Sequence, residues 1–172
     1  MQFKNVTVSL NLPMVGSIKG SWEPNKSERS ASWEMYVELI TRVATNQLKE
    51  EEGILREALS SFYALFDITR QILKKYGPDI AIPTKDNISF GYLAVSILNS
   101  SLRPLLSKWH PLLLEHESKR NESLSIFEHE KNWDKYGELR KEIEFVRQIL
   151  LEYANLLGTV AGVPPLIIKR FD

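Results

Sequence analysis

Cysteine is absent from this chain, and its absence removes three chemistries at once. There is no disulfide framework, no thiolate zinc site and no cysteine nucleophile to consider. An excess of one charge is missing too: Lys and Arg number 22, and Asp and Glu number 22. A dedicated nucleic-acid binder usually carries a basic surplus, so the composition argues against that class. No apolar run approaches the roughly 20 residues that span a bilayer. The opening Met1-Gln2-Phe3-Lys4-Asn5 lacks the basic-then-apolar pattern of a secretory signal. The expected location is therefore cytoplasmic, with no membrane partner.

Catalytic signatures are scarce as well. Gly-x-Ser-x-Gly, the phosphate loops of Walker and Rossmann type, Glu-x-x-His and His-Glu-x-x-His are all absent. Gly16-Ser17-Ile18-Lys19-Gly20 lacks phosphate-loop spacing and reads as turn residues. His116 stands beside Glu115 and Glu117, and His129 between Glu128 and Glu130. Neighbours on a helix point about 100° apart, so these triplets do not converge on a metal and read as solvated surface charge. No metal and no cofactor is expected.

What remains is a chain of 172 residues, 43% hydrophobic, enough for one domain with a core that needs no staples. The expected fold is mainly α: an antiparallel four-helix bundle over 25–162, preceded by a small β-hairpin over 1–24 and followed by an extended tail over 163–172. Val6, Val8, Leu10 and Leu12 alternate with Thr7, Ser9 and Asn11, the period of a half-buried strand. Pro13 stops it, and Ile18 and Trp22 mark a second strand. Helix one is expected from Asn25 or Ser27, either of which can cap it, through Trp33, Tyr36, Val37, Ile40, Val43, Ala44 and Leu48.

Helix two follows the acidic Glu50-Glu51-Glu52, which suits the positive end of a helix dipole, and stops at Gly77-Pro78. Helix three runs from about Ser89 to Leu113 across Pro104 and Pro111, either as one bent helix or as two. Glu117 to Glu122 reads as loop. Ser125 and Glu128 form a capping box ahead of helix four, whose stripe runs from Tyr136 to Leu157. Trp33, Trp109 and Trp133 fall on apolar stripes and read as core, and Trp22 as a staple of hairpin to bundle. The tail from Leu166 to Phe171 is apolar and β-branched enough to join the hairpin as a third strand.

Glu38 and Arg42 on helix one, Asp67 and Arg70 in the apolar middle of helix two, and Arg103 and His110 on helix three are the candidate polar residues. An ion-paired surface explains them; a network inside the bundle is the sharper reading, because buried charges must be paired. The runs Gly20-Ser21-Trp22-Glu23-Pro24, Trp33 to Leu39, Phe62 to Arg70, Leu102-Arg103-Pro104 and Trp109-His110-Pro111 resemble a family of small bacterial helical proteins with no assigned activity. That resemblance implies a bacterial source and nothing about chemistry.

Three functional readings follow. The first is a non-catalytic interaction subunit or accessory factor of a larger bacterial assembly, for instance a defence-related one. It would meet a protein partner or a second copy of itself through the hairpin, with Val6, Val8, Leu10, Leu12 and Trp22 as interface candidates. The second is a small enzyme with its site among the six polar residues. The third is nucleic-acid binding through Lys74, Lys75 and Lys108.

Overall fold

The computed structural model describes residues 4–42, 45–82 and 84–166. It is mainly helical, with an antiparallel hairpin at its N-terminal end. No helix among the described residues is long and apolar enough to cross a membrane.

Strands β1 (Val6–Leu12) and β2 (Gly16–Trp22) pair with Val6 opposite Trp22 and Leu12 opposite Gly16. The period-two pattern delivers what it promises: Val8, Leu10, Leu12, Ile18 and Trp22 are buried, while Thr7, Ser9 and Asn11 are exposed. Gly20 lets the 84–88 loop lie against β2, since a Cβ there would come within 2.9 Å of Asp86. Of the expected third strand only Leu166 is described. Its N–H donates to the Tyr36 hydroxyl at 2.9 Å, and the rest of that segment lies outside the described residues.

Helix α1 (Lys26–Ile40) starts at Asn25, which forms a capping box with Glu28. It ends about two turns earlier than expected, and Val43 and Ala44 lie outside the described residues. Two threonines explain the stop. The Thr41 hydroxyl takes the Val37 carbonyl at 2.7 Å, and the Thr45 hydroxyl takes the Leu39 carbonyl at 2.5 Å. Short hydroxyl side chains compete for the carbonyls that the next turn would need. The buried face of α1 also differs: it is Glu28, Ala31, Ser32, Met35, Tyr36 and Leu39, which leaves Trp33 exposed rather than in the core.

Helix α2 (Leu55–Tyr76) stops where Gly77 takes φ 64 and a short 3-10 turn, Gly77–Ile80, follows. Helices α3 (Phe90–Ile97) and α4 (Arg103–Ser118) are joined by a π-turn over Leu98–Leu102, so 90–118 is one continuous helical run and 117–118 are helix rather than loop. The cause is Pro104, which has no N–H to offer the carbonyl one turn back. The chain widens instead: the Arg103 N–H reaches the Leu98 carbonyl five residues earlier, and the Ser100 hydroxyl serves the Ser96 carbonyl at 2.6 Å.

The Ser125–Glu128 capping box is present, but it opens a separate short helix, α5 (Ile126–Lys131). The long apolar stripe forms α6 (Tyr136–Ala161), closed by Gly162 at φ 75. Helix α1 packs on α2 and α6, α2 on α4, α4 on α6, and β1 on α6. Trp22, Tyr36, Phe62, Phe90, Trp109 and Tyr153 are fully buried where these elements meet. Removing one such ring typically costs about 3–5 kcal/mol.

Candidate functional site

Strand β1 is the first place where the chain leaves bonding capacity unused. The Ser21 N–H donates to the Asp86 carboxylate at 2.8 Å, so it points away from β1. Thr7–Ser21 is therefore a pair without mutual backbone bonds. Such pairs alternate along an antiparallel ladder, so Ser9–Lys19 and Asn11–Ser17 are of the same kind. The N–H and C=O groups of Thr7, Ser9 and Asn11 consequently point outward from the hairpin. No described residue pairs with them. The two edges are treated differently: β2 carries Lys19 and is capped by Asp86, whereas β1 (Val-Thr-Val-Ser-Leu-Asn-Leu) has no charge and no proline. Charge, proline and covering loops are how proteins block strand edges.

The interface candidates need correcting on this point. Val8, Leu10, Leu12 and Trp22 are buried in the chain's own core and Val6 is half-buried against it, because α6 already covers the apolar face. What β1 still offers is its backbone edge.

Glu28 fixes that hairpin to the helices. It is 3% exposed, and its carboxylate accepts from the Trp22 indole at 3.1 Å, the Asn25 N–H at 2.9 Å and the Phe90 N–H at 3.0 Å. Burial pushes its pKa above the usual carboxylate value, with the three donors pulling the other way.

The six polar candidates do not meet inside the protein. Glu38 and Arg42 pair at 2.7 Å along α1, and the Arg42 Nε is buried with no acceptor. Asp67 and Arg70 lie 3.9 Å apart with both side chains more than half exposed, so the middle of α2 is apolar only on its other face. Arg103 is exposed, its Nε donating to Asn99 at 3.1 Å and its guanidinium lying 5.1 Å above the Phe66 ring. His110 accepts at Nδ1 from Arg56 at 2.7 Å. Arg56 is held in turn by both oxygens of Glu117, at 2.7 and 3.1 Å. Three of the six, Arg70, Arg103 and His110, line one open cleft between α2 and α4. Burial and the Arg56 charge lower the pKa of His110, which keeps it neutral near pH 7.

Two features escaped the sequence. His116 and His129 are not loose surface charge: their rings stack at 3.9 Å, and the Nε2 of each lies 2.7 Å from the other's carbonyl oxygen. Trp133 stacks on His116 at 5.0 Å, so α4, α5 and the turn leading into α6 are joined there. Beside them Glu130, 1% exposed, accepts from the N–H groups of Leu55 and Arg56 at 2.7 and 3.1 Å. It caps α2, whose own leading residue, Ile54, has no side-chain acceptor, and Glu50 to Glu52 lie outside that role. Burial raises the pKa of Glu130 as well.

Among the described residues no three His, Asp or Glu side chains converge on a metal position. Of the three lysines, Lys75 pairs with Glu34, and Lys108 lies between Glu138 and Glu142 at 2.9 and 2.7 Å. No known protein family, curated protein or solved structure matches this chain.

Proposed function

We propose that this protein is a non-catalytic interaction subunit that joins its assembly by adding a strand to the outer edge of β1. The scaffold is read as an antiparallel four-helix bundle of α1, α2, the continuous α3–α4 run and α6, with the hairpin mounted on it. One observation carries the reading: Thr7, Ser9 and Asn11 turn six backbone groups outward along an uncharged edge, while the edge of β2 is capped. Main-chain bonds along such an edge supply affinity, and the side chains between them supply selectivity.

A second copy is the occupant that fits most simply. Antiparallel pairing centred on Ser9 sets Thr7 opposite Asn11 of the other copy and brings no like charges together. The hairpin, marginal alone, would become half of a four-stranded sheet with the two β1 strands at its centre.

The test is Ser9→Pro. Its N–H points outward, so proline removes an edge donor without taking a bond from the hairpin. Wild-type protein at high concentration is expected to run as a dimer by light scattering, and Ser9→Pro as a monomer with an unchanged circular dichroism spectrum. Equal masses for the two proteins, with both dimeric, would move the interface elsewhere. A monomeric wild type would remove the second copy as the occupant.

A further inference from the structure

The cleft between α2 and α4 encloses about 310 Å³, and the groups around it all donate or are apolar. Arg70 and Arg103 stand on its two sides, with Ser107 and His110 on α4 and the Tyr63 and Phe66 rings on α2. Among the described residues no carboxylate lines it. Asp67 is 3.9 Å from Arg70, too far for a hydrogen bond and well solvated.

Both arginines therefore keep donors to spare. Among the described residues Arg103 spends only its Nε, on Asn99, and that bond with the Phe66 ring beneath holds the guanidinium in place with no described partner on its terminal nitrogens. His110 adds a donor of fixed kind. Its Nδ1 accepts from Arg56, so the ring proton sits on Nε2, which has no partner among the described residues. The Arg56 charge is already matched by Glu117, which leaves the positive charge of the cleft with Arg70 and Arg103. Tyr63 meets His110 edge-on at 5.8 Å and is 63% exposed, so a flat face stands open at the rim.

We propose that this cleft binds a phosphate monoester, with the phosphate between Arg70 and Arg103 and the esterified group against the open face of Tyr63. Two guanidiniums, an imidazole N–H and a hydroxyl exceed what one carboxylate can accept. They suit a dianion with three terminal oxygens. The ring surface suits a planar substituent, since aromatic stacking adds affinity without demanding one particular base or ring. The proposal stands on the cleft alone and is independent of the β1 edge.

Phenyl phosphate is the probe, titrated into the full chain at low salt and followed by calorimetry and by the indole and amide NMR signals. Saturable binding is expected in the wild type. Arg70→Gln and Arg103→Gln should each weaken it about tenfold, the loss of one charge-assisted contact. Both residues are exposed, so the urea midpoints should hold and a folding defect is separable. Tyr63→Ala should weaken phenyl phosphate a few-fold and leave inorganic phosphate unchanged. Benzoate should bind about tenfold more weakly than phenyl phosphate. Absence of saturable binding would overturn the proposal, as would benzoate matching phenyl phosphate. An equal loss in Lys85→Gln, on the 84–88 loop, would show general charge attraction instead of a site and would overturn it too.

Discussion

Glu28 and Glu130 perform the same physical task at different sequence distances. Each is a buried carboxylate that collects backbone N–H groups from helix starts. Glu28 serves Asn25, three residues away, and then reaches Phe90 at the start of α3 and the Trp22 indole at the end of β2. Glu130 serves only distant groups, Leu55 and Arg56 at the start of α2, about seventy-five residues earlier in the chain. A carboxylate next to helix N-termini is favoured by the dipole and by the orphan N–H groups there. The local version uses a capping box that already exists and extends it; the distant version substitutes for a cap that α2 does not have.

The comparison can be broken by experiment. Glu28→Ala strands three donors, two of them at the join of hairpin and helices, and is expected to cost about 3–5 kcal/mol. The urea midpoint measures it, and a loss below about 1 kcal/mol would mean that water replaces the carboxylate. Glu130→Ala strands two donors and is expected to cost about 2–4 kcal/mol, with amide exchange quickening first at Leu55 and Arg56. Equal protection of those amides in the variant would show that Glu130 does not hold the start of α2.

The smallest effect concerns pH. Burial places the folded pKa of Glu130 above its ordinary value of 4.5. The folded state therefore binds the proton more tightly than the unfolded chain does, and that contribution is full below the ordinary value. It is lost as pH rises through the raised folded value. The stability advantage of the wild type over Glu130→Gln should thus shrink between pH 4.5 and neutrality. An advantage that grows over that range would mean that the carboxylate, not the acid, is the favoured form in the fold.

These two residues also mark how far the sequence could be read. β1 was plain, because one face is apolar and the other polar at strict period two, and burial follows the pattern residue by residue. α6 was plain for the same reason at helical period. On α1 the apolar residues alone suggested a stripe through Trp33 and Val37, yet the buried face is turned toward Glu28 and Ser32. Glu28 enters the core because its partners are there to meet it, and two of them, Trp22 and Phe90, come from other elements, whereas the Ser32 hydroxyl is buried with no hydrogen-bond partner among the described residues. Glu130 carried no signal beyond the missing acceptor at Ile54. The stacked pair of His116 and His129 had none, since each ring is bonded to the backbone of the other's helix. Of the polar candidates, the chain's own order could show that Arg103 and His110 share a face of α4, but not that Arg70 on α2 stands across from them.

The π-turn at Leu98–Leu102 has a consequence for what deletions this chain can survive. A widened turn holds one residue more than an α-helical turn, so everything beyond it is rotated by about 100° relative to an uninterrupted helix. Leu105, Leu106, Trp109 and Leu113 are buried in that rotated frame. Removing a single residue such as Asn99 would turn the Arg103-to-Leu98 bond into an ordinary α-helical one and leave Trp109 and its neighbours on the faces they hold now. A single-residue deletion in a helix is usually absorbed by its nearest loop. Here the widened turn would absorb it instead, and the sixteen residues of α4 that follow would keep their facing.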